Sequence, residues 1–212
     1  MSGRKKSNKD NQHFYYETLA GRFLGSKARE HLIAKELLRI KSSQSFLDVG
    51  CAQGYYISIA KTRTSNLFGI DYVPAFVAEA KKTGAKVVAC SAEKLPFESN
   101  KFDFVLCTET LEHVSDWKKA VSEIKRVLKK NGRAIITVPL EKSFFWSLFS
   151  IIFNPKKTRG HLHLLTCNDI EKEFSLLKLE KKIFVQSMSE TANKVIPQHE
   201  AVSMYCLFVF RK

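Results

Sequence analysis

Phe46-Leu47-Asp48-Val49-Gly50-Cys51-Ala52-Gln53-Gly54-Tyr55-Tyr56 is the stretch that decides how this chain reads. An apolar run ends in small residues and two glycines, and an apolar-periodic segment follows. The pattern predicts a buried strand, a tight turn and the first turn of a helix. Glycine suits such a turn because positive φ is open to it and because a side chain would hold a ligand off the backbone. Exposed N–H groups at the helix start would then face an anionic or polar ligand.

Working outward, the same rhythm recurs. Asn66 to Asp71 is a second short apolar run ending in an acid, and Pro74 suits the first turn of the helix after it. Val87 to Cys90 and Phe102 to Cys107 read as the third and fourth strands. Ser115 or Asp116 can cap a helix whose stripe runs Trp117, Ala120, Val121, Ile124, Val127 and Leu128. Asn131-Gly132 is expected to stop it, and Ala134 to Val138 is a fifth strand. Thr166-Cys167-Asn168-Asp169 has capping-box form and opens a helix with Ile170, Phe174 and Leu177. Lys182 to Val185 and Val202 to Phe210 close the chain as an antiparallel pair. Short apolar strands alternating with amphipathic helices predict an α/β fold, a doubly wound, mostly parallel sheet with helices on both faces. Upstream, residues 1–12 read as a disordered basic leader, and helical spacing begins at His13 and strengthens through Leu32, Ile33, Leu37, Leu38 and Ile40.

The 212 residues fit one domain over 13–212, with a net charge of +14 from 35 Lys and Arg against 21 Asp and Glu. That charge fits a solvated, lysine-rich surface, or attraction to a polyanion such as RNA or an anionic membrane. Five scattered cysteines without a C-x-x-C pair indicate neither a zinc cluster nor a disulfide framework, and a reducing, cytoplasmic compartment is expected. The basic N-terminus has no apolar stretch behind it of the kind a secretory signal needs. The apolar run from Phe144 to Phe153 is too short to span a bilayer.

In a doubly wound sheet the ligand sits beyond the carboxyl ends of the strands, where strand order reverses. Asp71 ends the second strand, beside the glycine turn, where a carboxylate can accept from both hydroxyls of a ribose. Enzymes of NAD and of S-adenosylmethionine share that device. A pyrophosphate-binding G-x-G-x-x-G needs glycine where this chain has Ala52 and Tyr55, so the dinucleotide fingerprint fails twice. Ser91-Ala92-Glu93-Lys94-Leu95-Pro96-Phe97 follows strand three, where a loop can cover an adenine. Phe102-Asp103-Phe104-Val105 then leads into Thr108-Glu109-Thr110-Leu111-Glu112-His113-Val114.

This ordered series resembles the class I S-adenosylmethionine-dependent methyltransferases, in their small-molecule-type, methyltransferase-11-like branch. The branch runs LDVGCGTG, an acid after strand two, A-E-x-LPF, FD-x-V, LEHV and an LKPGG-like turn, matched here over about residues 30–140. His161-Leu162-His163-Leu164-Leu165-Thr166 is similar to its H-L-x-x-[FL]-[ST] segment. The resemblance implies a Rossmann-like sheet of seven strands with an antiparallel last strand, and S-adenosyl-L-methionine as cofactor. It implies that Asp48, Gly50 and Gly54 shape a methionine pocket, with backbone contacts from Cys51 and Ala52. Asp71 would hold the ribose, flanked by Tyr72. Ala92 and Glu93 would border the adenine, and the backbone around Cys107 and Thr108 would meet the methionine amino group. Ala52 departs from the usual middle glycine, a change that is tolerated if its φ is negative. Ser91 stands where an acid often reads the adenine amino group.

Methyl transfer from a sulfonium is an in-line displacement, to which a protein contributes proximity and alignment without needing a metal. Glu109 and His113 are the candidate general bases for an acceptor that must lose a proton. The spacing of His161 and His163 would suit a metal pair, but no third ligand is evident, and no metal is expected. The segment after strand four lacks [DN]-P-P-[YFW], which argues against methylating base amines. The insertion at about 141–165, with Lys156, Lys157 and Arg159 beyond its aromatic run, suits a lid, core helix or membrane-touching face for an apolar or amphiphilic acceptor. The resemblance also implies an N-terminal segment, here with Tyr15, Tyr16 and Arg22, that folds over the cofactor. The expected activity is methyl transfer to a small-molecule or lipid-like acceptor. An RNA (tRNA) methyltransferase and a non-catalytic S-adenosylmethionine-binding module are the alternatives.

Overall fold

The computed structural model describes residues 27–140, 143, 161–185, 199 and 203–212. The basic leader, the segment with Tyr15, Tyr16 and Arg22, the aromatic run at 144–153 and the lysines after it lie outside them. Seven strands form one sheet: β1 (Phe46–Val49), β2 (Leu67–Asp71), β3 (Lys86–Ala89), β4 (Phe102–Thr108), β5 (Leu128–Pro139), β6 (Lys178–Val185) and β7 (Tyr205–Arg211). Their order across the sheet is β3-β2-β1-β4-β5-β7-β6. The first five are parallel, and β7 slots between β5 and β6, antiparallel to both. Strand order reverses between β1 and β4, which puts the crevice at the ends of those strands.

Among the described residues five helices flank the sheet: α1 (Lys27–Leu37), α2 (Tyr55–Ala60), α3 (Pro74–Ala80), α4 (Trp117–Val127) and α5 (Cys167–Glu173). The side-chain period of two along the strands divides the core between the faces. Phe46, Phe104, Leu106 and Ile135 pack with α1, α2 and α3 through Ile33, Leu37, Ile57 and Val77. Leu47, Val49, Val105 and Ile136 pack with α4 and α5 through Val121, Ile124 and Ile170. Every residue of β1 and β2 is buried, as strands covered on both faces must be. The capping box at Thr166 forms in full: Asp169 N–H donates to Thr166 Oγ1 (3.2 Å), and Thr166 N–H donates to Asp169 Oδ2 (2.9 Å).

Two local expectations are corrected. The fourth helix ends at Val127, not at Asn131-Gly132, because Leu128 is already extended, fully buried and paired with Phe102 in the sheet. The strand it opens is much longer than Ala134 to Val138, and Asn131, at φ 65°, lies inside it. The last helix stops before Phe174 and Leu177. Phe174 is its C-cap residue, and it stacks on Phe210 of β7 with ring centroids 4.6 Å apart.

Ala52 has φ 43°, not the negative value that would suit an alanine there. The left-handed region costs an L-residue roughly 1–2 kcal/mol, against roughly 0.5–1 kcal/mol of extra chain entropy lost by glycine on folding. Ala52→Gly is therefore expected to raise stability by about 0.5–1 kcal/mol, read as a higher urea midpoint at unchanged slope.

Candidate functional site

A cavity of about 680 Å³ opens at the carboxyl ends of β1, β2 and β4, well within the range of small-molecule sites. Its nearest wall is the opening turn. Gly50 (φ 78°) and Gly54 (φ 85°) have the positive φ expected of the turn, but the neighbour that excludes a side chain differs from the one expected. A Cβ on Gly50 would lie 2.2 Å from Thr110 Oγ1, and one on Gly54 would lie 3.2 Å from Ala80 of α3. The protein's own side chains, not a ligand, occupy that space. Thr110 Oγ1 donates to Thr108 O at 2.9 Å and lies 3.2 Å from Val49 O, tying the loop after β4 to the end of β1.

Asp71 joins the turn to the end of β2. Its Oδ2 accepts from Ala52 N–H (2.9 Å) and its Oδ1 from Val73 N–H (2.8 Å). Burial raises its pKa, and these backbone N–H groups pull back the other way. Each carboxylate oxygen can accept a further bond, so an oriented acceptor pair is left at the cavity wall. On the adenine side, Ala92 and Glu93 line the cavity together with Ser91. Ser91 Oγ accepts from Glu93 N–H, and Glu93 Oε1 accepts from Asp116 N–H at the start of α4.

Of the residues expected at the site, Gly50, Cys51, Ala52, Asp71 and Tyr72 line the cavity from the turn side. Thr108, at the end of β4, and Glu109 and His113, in the loop after it, line it from the other side. Asp48, Gly54 and Cys107 do not line it: Asp48 and Cys107 are buried in their strands, and Gly54 caps α2 against α3. Burial, and then the neighbouring Asp71, push the carboxyl of Asp48 up to about 8. Neither of its oxygens has a hydrogen-bond partner among the described residues.

The opposite wall holds residues that sequence patterns did not single out. Arg29 of α1 meets Glu109 Oε2 at 3.2 Å and lies 4.5 Å over the ring of Tyr205 at the start of β7. Burial alone would lower its pKa, but Glu109 and Tyr205 outweigh that and leave it raised. Thr137 Oγ1 donates to the other Glu109 oxygen at 3.0 Å. Glu109 itself sits at φ 48°. Its carboxylate is therefore held in an ion pair. Nothing in the spacing of Arg29 or Tyr205 marks them, since only the tertiary fold brings α1 and β7 to the cavity. His161 and His163, whose spacing would suit a metal pair, are held apart. The chain bends at Leu162, His161 packs edge-on against His113 with centroids 4.6 Å apart, and His163 Nε2 lies 3.0 Å from Val114 O.

Among the described residues, four carboxylates (Asp71, Glu93, Glu109 and Glu112) line this cavity against one guanidinium, that of Arg29. Such a wall repels a pyrophosphate and favours a ligand with a ribose diol and positive charge, as S-adenosylmethionine has. Residues 47–136 match the family described as "Methyltransferase domain". That span carries the chain's likeness to the class I S-adenosylmethionine-dependent methyltransferases. An uncharacterised protein of Methanocaldococcus jannaschii is 31% identical over 121 residues, covering 55% of this chain and 59% of its own length. The demethylmenaquinone methyltransferase of Staphylococcus aureus is 26% identical over 169 residues, covering 69% of this chain and 70% of its own. The crystal structure of an S-adenosylmethionine-dependent methyltransferase of Thermotoga maritima superposes with a TM-score of 0.69 at 18% identity, covering 97% of this chain and 96% of that one. The chain spans between half and three fifths of the length of the first curated relatives it matches.

The state of Asp48 sets a pH dependence. Its folded pKa lies above the ordinary 3.8, so between about pH 4 and about pH 8 the native state keeps a proton that the unfolded chain releases. Its contribution to stability is therefore lost as pH rises through that window and is constant above it. Asp48→Asn has no such proton. Its urea midpoint should gain on the wild type steadily from about pH 4 to about pH 8 and then level off.

Proposed function

We propose that this protein transfers the methyl group of S-adenosylmethionine to a small-molecule or lipid-like acceptor. The observation that carries the reading is the acid-lined cavity at the switch point of the sheet, with the Asp71 carboxylate already oriented by Ala52 and Val73. Bound there, the cofactor supplies an electrophilic methyl on a sulfonium. Asp71 would hold the ribose hydroxyls, Ala92 and Glu93 would border the adenine, and the turn from Gly50 to Ala52 would face the methionine portion with its backbone. Asp48, Gly54 and Cys107 would act beneath the surface, shaping the turn without touching the ligand.

The acceptor would enter from the side of Arg29, His113, His161 and Tyr205. An apolar or amphiphilic acceptor is supported by the relative that acts on demethylmenaquinone. The four carboxylates weigh against drawing a polyanion into the cavity, so the +14 charge belongs to the surface rather than to the reaction. Among the described residues no helix is long and apolar enough to cross a membrane, and an acceptor carried in a membrane would be reached from its surface.

Calorimetry with S-adenosylhomocysteine tests the site. With two charge-assisted bonds to the ribose, each contributing roughly 1.5–3 kcal/mol, Asp71→Ala is expected to weaken binding at least about 100-fold, and His113→Ala by less than about 3-fold. The reverse order would overturn the site assignment. Incubation with methyl-labelled donor and host extract, fractionated afterwards, is expected to place label in the lipid or small-metabolite fraction. Label confined to RNA would overturn the acceptor class.

A further inference from the structure

Across the cavity from the glycine turn, Glu112, His113 and His161 bring one carboxylate oxygen and two imidazole nitrogens within 4.8 Å of one another. Glu112 is fully buried and both histidines are half-buried. The cluster joins two segments 48 residues apart, and their backbones fix its geometry. Leu162 N–H and His163 N–H both donate to Glu112 O, at 2.7 and 3.3 Å. His163 Nε2 reaches the carbonyls of Val114 and Ser115, at 3.0 and 3.1 Å. The His113 and His161 rings meet edge to face at 4.6 Å, and both residues line the same cavity as Gly50 and Asp71.

Two histidines and one carboxylate, presented to a cavity from a fixed backbone, make the donor set of an open catalytic metal site. Ligand atoms sharing one such ion stand about 3–3.5 Å apart at ordinary bond lengths, so the three atoms would draw together on binding an ion. Two imidazoles among three donors disfavour magnesium and calcium, which seek oxygen, and favour a divalent first-row transition ion such as Zn²⁺ or Mn²⁺.

We infer that Glu112, His113 and His161 bind one divalent transition-metal ion that activates an oxygen nucleophile of the acceptor. The inference rests on the methyltransferase reading and narrows its acceptor to a hydroxyl, phenol or quinol. Glu109, engaged with Arg29 and Thr137, is poorly placed to take a proton. A metal ion removes that need by lowering the pKa of an oxygen bound at its open positions. The acceptor O–H then releases its proton to water in the cavity. An oxygen lone pair forms the new O–CH₃ bond as the CH₃–S⁺ bond breaks, and the sulfonium leaves as a neutral thioether. His113 is in this scheme a ligand and not a base.

The test uses the full chain, stripped with chelator, titrated with Zn²⁺ by calorimetry and with Co²⁺ by its visible absorption. Binding near one ion per chain is expected, weakened about 10–100-fold by His113→Ala and by His161→Ala. His161→Asp, which restores a ligand atom, should recover part of the loss, and His31→Ala, on α1, should change nothing. Circular dichroism of each variant separates ligand loss from unfolding. No saturable binding below millimolar metal, or binding indifferent to both His161 variants, would overturn the site. S-adenosylhomocysteine binding, measured on the same metal-free protein, separates the two readings: its presence without metal binding sinks only the metal site, and its absence alongside metal binding sinks only the cofactor assignment.

Discussion

The Asp71 carboxylate reaches back across the sheet to the N–H of Ala52, and the ligand side of this molecule depends on that bond. It joins the tip of β2 to the turn after β1. The turn is closed from the other side by Thr110, whose hydroxyl bridges the loop after β4 to the end of β1. Three strand ends are thus locked before any ligand arrives. The lock has a cost: Ala52, Gly50 and Glu109 all sit at positive φ around one cavity, and two of the three are not glycine. Strain of this kind persists where the surroundings over-determine it, which is how preorganised sites are built.

Charge is distributed so that the inside of the cavity opposes the outside of the protein. In a chain with a +14 balance, the described residues line the cavity with four carboxylates and a single arginine, and that arginine is paired. A sulfonium cofactor benefits twice, from attraction while charged and from weaker retention once it has become a neutral thioether. A dinucleotide would gain from neither.

How much of this could be read from the chain follows from what each residue is coupled to. Strands buried on both faces are unbroken apolar runs, so β1, β2 and β4 were plain, as was Asp71 at the end of its strand. The capping box at Thr166 is a contact between near neighbours and was equally legible. Leu128 misled because a helical stripe and a strand can claim the same apolar residue, and the sheet won through Phe102. The glycines were expected for the right backbone geometry and the wrong neighbour, since the side chain that excludes a Cβ at Gly50 comes from Thr110. Arg29 and Tyr205 carry no local signal. Arg29 meets Glu109 and Tyr205 only after α1, β4 and β7 have packed. The spacing of His161 and His163 carried no sign of the neighbour that His161 does meet, His113, which lies far back in the chain.

The placement of β7 has a bearing on assembly. It fills the gap between β5 and β6, pairing with β5 from Arg133 to Pro139 and with β6 along its length. Until residues 205–211 arrive, the outer edge of β5 is a row of unpaired backbone groups next to Ile135 and Ile136, open to any other strand. Closing it requires a contact between distant parts of the chain, which is slow to form. The cofactor half can be nearly complete in its local structure while its sheet is still exposed at that edge. Newly made chains are therefore most vulnerable to intermolecular pairing just before β7 inserts, and the same insertion carries Tyr205 onto Arg29 and completes the far wall of the cavity.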